Sequence, residues 1–226
     1  MSSSAEGRFY AGIFAALLAT IGLSFLEPSA TVSKSSGTRG LRAFAADVKW
    51  ISAYRAWQNH DEVRLKRDLT WATKLAPSNT LFWLEGARML GYDVAAWRRA
   101  EVGQRAEFGR VNRAAFESAQ TFLAEAEKWH PTRSALPIEE AIMQLRLAGD
   151  ASASEQSLAR AQECADAPYF VARIRAELLV QLGREREGLQ ILEAEYAQLP
   201  KTDPRAMAEV VADRIADLRA RLGESG

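Results

Sequence analysis

Four residues recur at a fixed interval in the second half of the chain, and that interval constrains the fold more than any other feature. Ile142, Leu145, Gly149 and Leu158 are followed 34 positions later by Ala176, Leu179, Gly183 and Leu192. A repeated unit of this length is a small stretch of chain. It is too small to bury an apolar face alone, so successive copies must stack. From Leu41 onward apolar residues recur at spacings of three and four, and Ala, Leu, Arg and Glu dominate. Alternating Val, Ile and Thr runs with Asn-Gly turns, the marks of strands, are missing. The seven prolines fall between the helical stretches, where proline ends one helix and opens the next. The expected class is all-α.

The period and its punctuation resemble the tetratricopeptide repeat family, whose unit is a pair of antiparallel helices. That unit asks for a small residue at position 8, Gly at 15 for the turn, small residues at 20 and 27, and Pro at 32. Residues 169–202 match best, with Ala176, Leu179, Gly183, Gly188, Leu192 and Pro200. Residues 135–168 follow with Leu145, Gly149, Leu158 and Ala161, but Ile142 replaces the small residue and implies looser contact. In the next copy upstream Trp83, Ala87 and Leu90 fit helix A. Ala119, Leu123, Ala126 and Pro131 keep the helix B spacing about 18 residues late. An insertion over residues 92–113 accounts for the delay. The first copy, residues 46–79, has Trp50, Trp57, Leu65, Leu69, Ala72 and Pro77, with helix A one residue out of register. Residues 203–222 read as an amphipathic capping helix. The resemblance implies an α-solenoid over residues 41–226.

Ahead of this domain, residues 1–8 form a short polar tail. Residues 9–26 are 18 uncharged residues, about 27 Å as a helix, enough to cross a bilayer core. A cleaved signal peptide is the rival. Its small-x-small site would be Pro28-Ser29-Ala30 or Thr31-Val32-Ser33, both poor fits, so a retained transmembrane anchor is expected. Residues 27–40, rich in Ser, Thr and Gly, read as a flexible linker. A single-pass anchor in a bacterial inner membrane with an extracytoplasmic domain is expected. The count of Lys34, Arg39 and Arg42 against Arg8 points the other way, but long domains translocate against a modest bias.

Several chemistries are excluded. Lys plus Arg and Asp plus Glu are both 29, so the chain lacks the basic excess of a nucleic-acid binder. One cysteine and two histidines leave no multi-cysteine zinc site and no histidine-based triad. No phosphate loop is present. The pairs Glu139-Glu140 and Glu125/Glu127 read as solvated helix faces. Cys164, beside Glu163 and Asp166, reads as a packing residue, and His130 as a cap at a helix end. No catalytic set, metal or cofactor is expected.

What remains is binding, to a protein partner. Positions 2, 5, 9, 12 and 13 of stacked repeats line a groove. Here they include Arg88, Tyr92, Met143, Arg146, Arg173 and Glu177. Three arginines from three copies, without adjacent acids, would suit an acidic segment. Glu177 tempers that field and could pair with Arg173. The insertion is the rival surface, through Trp97, Arg98 and Arg99; Trp97 is the tryptophan expected to be exposed, whereas Trp50, Trp71 and Trp83 are expected to wedge between helices. The expected function is a membrane-anchored adaptor in assembly of an envelope complex. The alternative is a constitutive structural subunit of a membrane complex.

Overall fold

The computed structural model describes residues 34–223. The helix pairs belong to one compact unit, which begins at Arg42. The α-helices are α1 (Lys34–Gln58), α2 (Glu62–Leu75), α3 (Thr80–Arg88), α4 (Val94–Val102), α5 (Phe108–Trp129), α6 (Ala135–Met143), α7 (Ala151–Gln162), α8 (Phe170–Gln181), α9 (Glu185–Gln198) and α10 (Ala208–Leu222). Wide π-turns, Met89–Asp93 and Gln144–Ala148, join α3 to α4 and extend α6. Among the described residues there is no strand.

Local chemistry sets the helix starts. The side chains of Asp61, Asn79 and Asp150 accept from the backbone N–H of Arg64, Leu81 and Ala153, satisfying donors that open a helix. Gly149 and Gly183 end the first helix of their pairs at φ 68° and 76°, the left-handed region that disfavours a Cβ. His60 occupies the matching position in the first pair at φ 55°. With Ala53 and Ala56 buried, as Ala176 and Leu179 are, the first pair is in register, and the expected one-residue offset is corrected.

The first helices of the later pairs bury one pattern. In α3 it is Phe82, Trp83, Ala87, Met89 and Leu90, the last two in its π-turn. In α6 it is Leu136, Pro137, Ala141 and Met143, completed by Gln144. In α8 it is Val171, Ala172, Ala176, Leu178 and Leu179. The last two sets stand 35 residues apart, although Gly149 and Gly183 stand 34 apart. The π-turn Gln144–Ala148 takes up the difference, because its wider i→i+5 ladder accommodates an extra residue. Ala141 therefore holds the close-contact place, and Ile142 and Leu145 are exposed, at 38% and 43%. Looser packing at Ile142 and a core role for Leu145 are both corrected.

The expected insertion takes the form of longer helices. The helix opened by α3 runs on through its π-turn and α4 to a turn at Gly103, and α5 starts early at Phe108. Likewise α1 begins at Lys34, within the segment expected to be a linker, because extending a nucleated helix is cheaper than starting one. No helix among the described residues is long and apolar enough to cross a membrane. The expected anchor, residues 9–26, lies outside them, as does the tail.

The core runs as linked clusters. One joins Ala53, Leu65, Leu69, Trp83, Phe116, Leu123 and Met143, with Trp50, Trp57 and Trp97 packed against it. Another joins Ala176, Leu189, Leu192, Val211 and Leu218 at the far end. Between them lie Ala141, Leu158, Ala161, Val171 and Leu178. Among the described residues four carboxylates are buried, and each meets an arginine: Asp68 with Arg67, Glu139 with Arg88, Glu140 with Arg160, Glu155 with Arg175. The expected solvated position of Glu139 and Glu140 is corrected. Arginine suits this place because its planar fork pairs a carboxylate while losing less solvation than an ammonium.

Candidate functional site

A recess with a predominantly apolar floor lies between α2, α3 and α5 and has a volume of about 520 Å³. Lys66, Thr70, Thr73 and Lys74 of α2 form one wall, at spacings that place them on a single helix face. Ser118, Thr121, Phe122, Glu125 and Trp129 of α5 form the other. Trp83 and Leu90 lie on the floor. Trp83 is anchored by its indole N–H, which donates to the Pro77 carbonyl at 2.9 Å. Its ring meets Phe122 at 4.9 Å, tilted by 51°.

Two details shape this groove. A Cβ on Gly86 would come within 2.8 Å of the Phe122 ring and 3.3 Å of Leu69, so the bare backbone lets the ring lie against α3. His130, at the end of α5, places Nε2 2.8 Å from the same Pro77 carbonyl, which requires the proton on that nitrogen. The expected cap at its own helix end is thus a tie to the loop before α3.

The rim is polar and largely self-satisfied. Thr70, Thr73 and Thr121 donate their hydroxyls to carbonyls of their own helices, at 2.8, 3.0 and 2.9 Å. Lys66 reaches across the groove to the Ser118 hydroxyl at 3.0 Å while paired with Glu62 at 2.8 Å. Glu125 pairs with Lys128. Trp129 is 56% exposed at one end, an apolar surface of the kind that anchors a partner. A recess of this size, apolar below and polar at its edges, suits side chains of a helix or an extended segment.

The residues expected to bind are placed differently. Arg88, Tyr92 and Met143 do come together, but around internal partners. Arg88 donates to Glu139 at 2.9 and 2.6 Å and to Glu85 at 2.7 Å, so it does not lack adjacent acids. Tyr92 buries a hydroxyl that has no partner in hydrogen-bonding geometry. Burial, then the Glu139 carboxylate, push its phenol up to about 12. Met143 is fully buried against Gly91, a consequence of the one-residue shift in α6. Arg146 is exposed, with no ion pair among the described residues, and its charge reaches Tyr92.

Arg173 and Glu177 line a separate hollow of about 250 Å³ with Leu145 and Ile174. Glu177 pairs with Arg214 of α10 at two distances of 2.7 Å, not with Arg173. Arg173 acts on Glu195, whose carboxyl burial pushes up against that pull.

In the lengthened helices, Trp97 stacks on His60 at 4.7 Å and packs against the main core. Arg98 pairs with Glu62 at 3.0 and 2.7 Å, and Arg99 with Asn112. The extension braces the first pair, and the expected exposure of Trp97 is corrected. Trp71, expected to wedge between helices, is 50% exposed.

The groove itself was missed in the sequence. Its one signal is Phe122 and Trp129, seven residues apart on one helix face among Ser and Thr. No protein-family model, curated protein or solved structure matches the chain. Among the described residues no cluster of His, Cys, Asp and Glu could hold a metal. The Cys164 thiol is pushed up by burial, then by Asp166, which opposes a thiolate.

Proposed function

We propose that this chain is an adaptor of the tetratricopeptide kind, an α-solenoid closed by α10, that binds a protein partner through the groove between α2, α3 and α5. It is a binding module, not an enzyme. Residues 9–26 hold it in a bacterial inner membrane, with the helical domain on the extracytoplasmic side. The observation that carries the binding reading is the groove floor: Trp83, Leu90 and Phe122 beneath a half-exposed Trp129. Such a floor gives an apolar segment something to desolvate, whereas the arginines of the first helices are mostly engaged with acids of the same chain.

A photo-activatable residue at Thr121, in the full chain in cells, tests this. The expected result is one recurring cross-linked protein that disappears when Trp129→Asp is added. A cross-link formed instead from position 146 or 173 moves the site to the first-helix face. Constitutive membership of a membrane complex would appear as the same cross-link at fixed stoichiometry after mild detergent extraction.

A further inference from the structure

A groove between helices holds a partner only if the partner's backbone is provided for. An extended segment brings an N–H and a C=O at almost every residue, and each needs a partner once water is displaced. The groove between α2, α3 and α5 has little to give. Its walls are helices, whose main-chain groups pair within themselves. Thr70, Thr73 and Thr121 donate their hydroxyls to the carbonyls of Lys66, Leu69 and Glu117 on their own helices. The Ser118 hydroxyl accepts from Lys66 across the groove. No strand edge is present among the described residues. A helix needs none of these, because its backbone bonds close within it.

The two ends of the groove are distinct. Pro77, just past α2, accepts on its carbonyl from Trp83 near the start of α3 and from His130 just past α5. So α2 and α5 finish at the same end, and the contact of Lys66 with Ser118 marks the other. Lys66 and Lys74 stand two turns apart on one wall, about 12 Å, and Phe122 and Trp129 stand two turns apart on the facing wall. Walls of that length match a docked helix with apolar side chains at i, i+3 or i+4, and i+7.

Charge separates the ends as well. Lys66 is paired with Glu62. Glu125, the one acid among the lining residues, is paired with Lys128. Lys74 lines the groove, is exposed, and makes no ion pair among the described residues. The Arg42 guanidinium bonds to the Lys74 carbonyl at 2.8 Å, a neutral acceptor that leaves a second positive charge at this end. The carbonyl ends of α2 and α5 offset part of the surplus, about half a charge each, and leave it positive. The end that carries Trp129 is therefore the one that suits an acid.

We infer that the groove takes an amphipathic helix of another protein, with its apolar side chains along Phe122 and Trp129 and an acidic residue against Lys74. This occupant presupposes the groove as the binding site.

The test selects random displayed peptides of roughly 16 residues, a little over four helical turns, on the full chain in mild detergent. Trp129→Asp serves for counter-selection. The expected winners carry apolar residues at helical spacing with Asp or Glu toward one end, and become helical on binding. A labelled winner should bind Lys74→Glu at least about fivefold more weakly, and exchanging the acid of the peptide for lysine should restore binding to that variant. Proline at the centre of the peptide should abolish binding. If no peptide depends on Trp129, the groove is not the binding site and both readings fail. If Trp129-dependent peptides have alternating or proline-rich sequences, or tolerate the central proline, the groove stands and the helical occupant is overturned. A winner indifferent to Lys74→Glu removes the charge complement and overturns the proposal. Dimerisation of the full chain that Trp129→Asp abolishes would place a second copy in the groove, and overturns it too.

Discussion

Asp68 of α2 is buried, facing Ser52 and Lys49 of α1. Burial works to raise its pKa. A hydrogen bond from Arg67, one from the Ser52 hydroxyl at 2.6 Å, and the charges of Arg67 and Lys49 together hold it below the ordinary carboxylate value. A group lowered on folding stabilises the fold fully above its unfolded pKa, about 4 for Asp, and loses that contribution as pH falls through its folded value. Urea unfolding from neutral to acid pH should therefore show a decline below about pH 4. Asp68→Asn should be less stable at neutral pH and flatter across that window. An unchanged acid slope in the variant would remove Asp68 from the account. Gly149 and Gly183 make a second residue-scale test. Valine at either forces a β-branched residue to positive φ, and each variant should lose about 1 kcal/mol or more in the same assay. No loss at either would mean that these turns are not the ones drawn.

At the scale of elements, the instructive feature is the π-turn Gln144–Ala148. It lets α6 bury the same five-place pattern as α8 while its turn glycine keeps the period of the repeat. The cost is visible at Gln144, which takes a place leucine fills in α8 and leaves a buried side-chain oxygen without a partner. Deleting the exposed Arg146 should let the turn close to an ordinary α-turn without moving the buried face of α6. The thermal midpoint should stay within about 4 °C of the parent, the shift expected for 1 kcal/mol in a domain of this size. Deleting the equally exposed Gln156, inside α7, rotates everything before it against everything after it by one residue, roughly 100°. That should abolish cooperative unfolding. If the two deletions behave alike, the turn is not absorbing a residue.

At the scale of the molecule, stability is distributed unevenly. The first core cluster buries Trp83 and Phe116 and has three further tryptophans packed against it. The cluster formed by α8, α9 and α10 buries only aliphatic side chains. Aromatic side chains bury the largest areas per residue, and stacked helix pairs interact mainly with their neighbours, so the aliphatic end should open first. Native-state hydrogen exchange at rising urea should show the amides of α8 to α10 losing protection before those of α3 and α5. A single opening step across all of them would show that the pairs are coupled more tightly than their separate clusters suggest.

What the sequence determined by itself is whatever a helix decides within a few residues. Helical spacing and the turn glycines at 149 and 183 were legible, because each depends on its own neighbours along the chain; the capping Asp61, Asn79 and Asp150 depend on their neighbours too, but were recognised only once the helix starts were seen. The second helix of each late pair was legible too: Ser154 and Leu158 keep the 34-residue step to Gly188 and Leu192. Only the tertiary structure decided which acids meet which arginines. Glu139 reads as a surface residue until α3 brings Arg88 beside it, and Glu177 turns to Arg214 because α10 closes the end of the stack. The groove belongs to the same category. Thr70, Thr73, Phe122 and Trp129 are unremarkable on their separate helices. They become a recess because α3, with a glycine where a side chain would strike Phe122, holds two distant helices apart, and that separation in space is not encoded in any one stretch of sequence.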